Sequence, residues 1–248
     1  MHNAWLDEAL PLADVSWRPV LLRGLEAMNA ADPAYLPALA QDEYLPTKNR
    51  LFAAFAQPLD AVRYVLVGEG PYPREESATG VCFMDGAVGA LWSSAGLSKQ
   101  VNRATSLRNF MKMLMVADGL LTPESTTGEA VTDVAQRAQA PDAHFIQTLP
   151  ELQNNLHANG FLLLNAALVF RPHVPPAKEA KAWQPLLDVV LEARSRAALD
   201  KLARAAAPLA EVVRQNQIRT VPYEEIVPGD ILVLREGHTL AADGVVRW

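Results

Sequence analysis

The residues best suited to chemistry lie between Val65 and Phe83, in VLVGEGPYPREESATGVCF. Glu69 offers a carboxylate between two glycines, and Tyr72 offers a flat aromatic face. Gly68 and Gly70 let backbone approach a ligand closely. Gly68-Glu69-Gly70-Pro71 follows a short apolar run, Val65-Leu66-Val67, and no helix or strand continues through it. In an open α/β sheet, ligands sit beyond the carboxyl ends of the strands, so the turn reads as a pocket wall. An ordinary tight turn is the bland alternative. A second polar residue, Asn165, ends the apolar run Phe161-Leu162-Leu163-Leu164. Its amide can donate to and accept from a base edge, or it can simply turn the chain after a strand.

Positive charge gathers next to these groups. Lys99, Arg103, Arg108 and Lys112 fall in one segment. On one unbroken helix, the first two and the last two would point in nearly opposite directions. A break at Thr105-Ser106 fits better, with either hydroxyl capping a helix from Leu107 through Val116. A helix start with free N–H groups suits phosphate; a plain capped surface helix suits the same residues. Lys48 and Arg50 could touch phosphate too, or mark a solvated helix start.

The elements that must hold these groups read as alternating α and β. Residues 1–60 look helical, with Trp5, Leu6 and Leu10, then Val20, Leu21, Leu25 and Met28, at helical spacing. Strands are expected at 62–67, at Gly80 to Phe83 and at 161–165. A loop with one weak helix is expected over 119–143. A helix over 149–156 should stop at Asn159-Gly160, and a further amphipathic helix should run from Trp183 to Ala193. Beyond it, a basic alanine-rich helix gives way to alternation at 210–214, 218–221, 231–234 and 240–246, with turns at Asn216-Gln217 and Pro228-Gly229-Asp230.

Composition narrows the classes. The chain has 248 residues, 50% of them hydrophobic, enough for one medium domain or two small ones. It has no apolar run long enough to span a membrane and no basic-then-apolar start of an export signal, so a cytoplasmic protein is expected. One cysteine, Cys82, excludes internal disulfides and a cysteine-ligated cluster. No cofactor and no metal are expected. The net charge of −6 argues against a general nucleic-acid glue, while a local basic face remains compatible with it.

Taken together, these motifs resemble the uracil-DNA glycosylase superfamily over roughly residues 45–193. Gly68-Glu69-Gly70-Pro71-Tyr72-Pro73 stands where that family has Gly-Gln-Asp-Pro-Tyr-His. Gly80-Val81-Cys82-Phe83 follows it. Thr105-Ser106-Leu107-Arg108-Asn109 resembles the family's phosphate-binding helix start, Leu162-Leu163-Leu164-Asn165 its apolar strand, and Lys181-Ala182-Trp183 its Trp-led helix. The resemblance implies a three-layer α/β/α fold with a short, mostly parallel and incomplete sheet. It implies a flipped-out base in single-stranded or uracil-containing DNA. Phe83 would stack on the base, Asn165 would read its Watson–Crick edge, and Tyr72 would fill the space of a thymine methyl. Gly70 and Pro71 belong to the same base-binding turn. Ser106, Arg108 and Lys112 would face the DNA backbone.

Two departures follow from the same alignment of motifs. The family's water-activating Asp is replaced by Gly70, which leaves Glu69 as the carboxylate of the turn; the superfamily's iron–sulfur branch has a similar Gly-Glu-Gly-Pro turn. The closing His-Pro-Ser-Pro-Leu-like segment is not found, and His173 only follows Asn165 in a proline-rich loop. In its place, residues 194–248 resemble the first half of a P-type cation-pump actuator domain, through Val227-Pro228-Gly229-Asp230 and Ala242-Asp243-Gly244. The pump's phosphorylation chemistry has no counterpart, and Asp230 and Asp243 read as strand ends. Two domains are therefore expected, 1–193 and 194–248. The strand at 161–164 should have an unpaired edge, a route to self-association. The function expected is base binding in DNA, with glycosidic hydrolysis resting on Glu69. The alternative is a silent protein, or a fused gene product, whose actuator-like tail is an interaction module.

Overall fold

The computed structural model describes residues 8–206, 209–215 and 217–233. Trp5, Leu6, His238, the strand expected at 240–246 and Asp243 lie outside them. The chain divides into two compact units, 1–194 and 195–248.

The first unit is an α/β/α sandwich around a very small sheet. Helix α1, Arg18–Ala31, buries Val20, Leu21, Leu25 and Met28, a stripe at helical spacing. Its Gly24 lets the last helix come close, because a Cβ there would lie 2.8 Å from Leu186 Cγ. A short helix α2, Tyr35–Leu39, and a 3-10 segment, Arg50–Phe55, complete this side. Strand β1 spans Tyr64–Gly68. A hairpin of β2, Trp92–Ser93, and β3, Gly96–Leu97, leads into α3, Lys99–Arg103, and α4, Thr105–Ala117. Helices α5, Glu129–Ala138, and α6, Leu149–Ala158, precede β4, Phe161–Asn165. Helix α6 starts at a capping box between Thr148 and Glu151. Helix α7 runs from Pro176 to Ala206 without interruption, so the two helices expected on either side of residue 193 are one.

The sheet is β1 paired in parallel with β4, Gly68 opposite Asn165. Two apolar layers enclose it. Leu162 and Leu164 pack with α1, α7, Trp17 and Trp183 on one face, and Leu163 packs with α4, α5 and α6 on the other. Burial on both faces is why β4 reads as a continuous apolar run; β1 is only partly covered, with Tyr64 55% and Val67 45% exposed.

The strand expected at 80–83 is a turn instead. Gly80 and Phe83 both have left-handed φ, +82° and +64°, and neither fits a pleated strand. A three-residue apolar run does not distinguish the two conformations. The turn also covers the sheet edge expected to stand open. The Cys82 N–H donates to the Leu163 carbonyl at 3.1 Å, and Leu162, Leu163 and Leu164 are fully buried.

The second unit contains an antiparallel sheet of β5, Leu209–Arg214, β6, Gln217–Pro222, and β7, Ile231–Val233, in the order β6-β5-β7. Gln217 already pairs with Arg214, so the connection begins one residue earlier than expected, with Gln215 at φ +55°. Asp230 ends the next turn. It accepts a two-pronged pair of bonds from Arg214, at 2.8 and 2.6 Å. No helix among the described residues is long and apolar enough to cross a membrane, and no cluster of metal-ligating residues occurs among them.

Candidate nucleic-acid site

The site is built where β1 and β4 end side by side. The Ala166 N–H donates to the Gly68 carbonyl at 2.8 Å, and the Ala167 N–H donates to the Glu69 carbonyl at 3.1 Å. These bonds fasten the Gly68-Glu69-Gly70 turn to the chain leaving β4. Asn165 lies directly across Gly68, and its side chain occupies the space a Cβ would need. A Cβ on Gly68 would come within 2.9 Å of Asn165 Oδ1 and 2.9 Å of Cys82 Cβ. Asn165 is 4% exposed, and its amide makes no hydrogen bond among the described residues. The residue is buried as a whole, but its amide is not among the fully buried unpartnered polar atoms and keeps some contact with solvent.

Cys82 links Asn165 to the aromatic pair. It touches the Gly68 position, holds Leu163 through its N–H and points its thiol at the Leu66 carbonyl. Burial pushes that thiol up to about 12, which keeps it un-ionised and unreactive at neutral pH. Phe83 follows in its left-handed conformation, a costly state for a bulky residue. One face of its ring lies flat on Phe110, with centroids 4.8 Å apart and planes 7° apart. The Tyr72 hydroxyl donates to the Phe83 carbonyl at 3.4 Å. Burial, and next to it the Asp85 carboxylate, push the Tyr72 phenol up to about 12.

Tyr72 also forms the wall of an open cleft of about 500 Å³, together with Pro73, Arg74, Arg103, Thr105 and Ser106. Helix α4 begins here, but no hydroxyl caps it. Its N-cap is Ala104, without a side-chain bond, and Ser106 sits inside the first turn. The expected serine or threonine cap is therefore absent. The tyrosine hydroxyl lies near the Ser106 hydroxyl and the Leu107 N–H. Arg74 is steadied by the buried Asp85 at 3.5 Å.

Of the expected site residues only Tyr72 and Ser106 line this cleft; Phe83 and Asn165 do not. Glu69 is exposed, with no ion pair or side-chain hydrogen bond among the described residues. Gly70 and Pro71 are half-buried, and a Cβ on Gly70 would meet only Ala167, at 3.7 and 3.8 Å. Arg108 and Lys112 face a different hollow from Ser106. His173 is engaged at 2.9 Å by Asp42. Asp42 and Glu179 both bind Arg171, at 3.1 and 2.6 Å, and Tyr35 donates to Glu179 at 2.5 Å. Sequence reading passed over Phe110, which has only the periodicity of a core residue. It also passed over Arg74, whose signal is a charge beside the turn.

The chain is similar to known uracil-DNA glycosylases. The chain is 28% identical over 217 residues to the uracil-DNA glycosylase of Corynebacterium glutamicum, covering 86% of this chain and 75% of that one. It is 30% identical over 151 residues to the uracil-DNA glycosylase of Thermobifida fusca, covering 60% of this chain and 50% of that one. The solved structure of the wild-type UNG from Nitratifractor salsuginis matches with a TM-score of 0.66 and 39% identity, over 79% of this chain and 78% of that one. Residues 204–247 match the P-type ATPase actuator domain family.

Proposed function

The chain belongs to the uracil-DNA glycosylase family, and from that premise we propose that it holds a flipped-out base of DNA between Phe83 and Asn165 and cleaves its glycosidic bond with the help of Glu69. The supporting observation is the unpartnered Asn165 amide opposite Gly68, on a residue only 4% exposed. An amide donates and accepts side by side, which matches the alternating edge of a uracil. Phe83, backed by Phe110, supplies a rigid stacking plate. Tyr72 limits the room beside the base. Ser106, the uncapped start of α4, Arg74 and Arg103 hold the backbone phosphate at the cleft.

In the reaction, the C1′–N1 bond breaks with its electron pair leaving on the base, and positive charge develops on the sugar. Glu69 stabilises that charge, orients water toward C1′ and takes the proton the water gives up. Gly70 carries no group that could do this, and Glu69 has no competing ion pair among the described residues. The base-holding role lies in residues 1–193, and 194–248 forms a separate interaction module, a division supported by the actuator-domain match to residues 204–247.

The test is uracil release from a single-stranded oligonucleotide by wild type and Glu69→Gln, with binding measured in parallel. Release should fall at least about 100-fold, within the range for a lost general base, and binding should stay within about threefold. A Glu69→Gln protein that releases uracil at the wild-type rate refutes the assignment. Wild-type binding without release identifies a silent reader instead.

A further inference from the structure

The hollow that takes Arg108 and Lys112 away from Ser106 has a composition of its own. It measures about 420 Å³ and lies between α4 and the start of α5. No carboxylate lines it. Arg108 and Lys112 are four apart on α4 and share one helical face. Neither has an acidic partner among the described residues. Arg108 is steadied by neutral oxygens only, its Nη1 donating to the Asn102 carbonyl at 3.1 Å and its Nε to Asn109 Oδ1 at 3.4 Å. That second bond leaves the Asn109 amide nitrogen to donate elsewhere.

Across the hollow, α5 begins at Gly128, whose φ of +57° turns the chain into the helix with no side chain capping it. Thr127, Gly128, Val131 and Thr132 line that wall. The Thr132 hydroxyl is already committed to the Ala95 and Gly128 carbonyls. The lining is thus rich in donors and poor in acceptors, with Leu97 and Val131 as an apolar floor. Two like charges side by side disfavour each other unless an anion joins them.

We infer that this hollow is a second phosphate subsite, which takes a phosphodiester of the strand whose phosphate lies at Ser106. This rests on the base-binding reading above. Six residues of helix separate Ser106 from Lys112, about 9 Å of axis. At 100° per residue they also lie about 120° apart around α4, so one strand reaches both by curving around the helix. The site adds affinity without reading sequence.

Two measurements on the full chain decide it. The first is the salt dependence of binding to uracil-containing and thymine-containing single strands, for wild type, Arg108→Gln/Lys112→Gln, Lys112→Gln alone and, as a control, Lys99→Gln. Each phosphate contact on a single strand contributes about 0.7 to the slope of log K against log salt. Loss of this one phosphate contact should flatten the slope by about 0.7 in the double variant and by part of that in Lys112→Gln alone, equally for both strands. Lys99→Gln should leave it unchanged. An unchanged slope in both the double and the single variant, with wild type binding well, overturns the DNA assignment and leaves the base pocket intact. The second is titration with inorganic phosphate, followed by amide NMR. Shifts at Gly128 through Val131 that vanish in the double variant support an anion site, and their absence in wild type overturns it. Phosphate shifts with an unchanged DNA slope identify a free phosphate as the occupant and refute the strand. If wild type binds no DNA, the base-binding reading fails, and the phosphate titration still decides whether the hollow is an anion site.

Discussion

Two glycines of one turn should respond oppositely to the same added methyl group. A Cβ at Gly68 would lie 2.9 Å from both Asn165 Oδ1 and Cys82 Cβ, closer than real side-chain contacts. Neither neighbour can retreat easily. Cys82 is hydrogen-bonded to the Leu163 carbonyl, and Asn165 is 4% exposed. Overpacking of this kind costs about 1–3 kcal/mol. At a central value of about 2 kcal/mol, Gly68→Ala should lower the melting temperature by roughly 4–8 °C for a domain of this size. It should also displace the Asn165 amide and weaken binding of a uracil-containing strand at least tenfold. At Gly70 the nearest atoms would be 3.7 and 3.8 Å away, an ordinary contact. Its φ also lies outside the left-handed range. Gly70→Ala should therefore leave the melting temperature unchanged or raise it slightly, by up to about 1 kcal/mol of stability. Calorimetry and fluorescence anisotropy on both variants suffice. Equal effects of the two substitutions, on either readout, would refute the placement of Asn165 over Gly68.

Phe83→Ala should weaken binding of an unpaired base by about 1–3 kcal/mol, the usual worth of one base–aromatic stack, and equilibrium titration with a uracil-containing strand reads this directly. Arg171→Met leaves Glu179, 2% exposed, without its cation; urea unfolding should show a loss of about 3–5 kcal/mol, as for other broken buried pairs. In the second unit, the Arg214 bond holds the Asp230 carboxyl down to about 2, from an ordinary value near 4. Because that pKa is depressed on folding, its stabilisation is complete above about pH 4 and is lost as the pH falls toward 2. Amide signals of β5 to β7 should broaden or disperse over that window in wild type, and Asp230→Asn should remove this dependence.

Local patterning is enough to find the separate pieces. Two apolar runs ended by Gly68 and by Asn165 are the two strands of the sheet; the run of β4 is continuous because it is covered on both faces. Helical spacing marked α1, α4 and α6, and alternation marked β5 and β6, because each element's period records which face is buried. Which piece meets which is set by packing. Only pairing of β1 with β4 places Asn165 across Gly68, 97 positions apart in the chain. Only packing holds Phe83 in a left-handed turn and backs it with Phe110, since a run such as Val81-Cys82-Phe83 is locally as compatible with a strand. Ser106 and Lys112 share α4, and its period alone turns them to different faces; that α5 walls the second hollow comes from packing that no local period encodes. A period identifies the face an element buries; which residue meets it is set by nonlocal packing, after the chain has closed its loops.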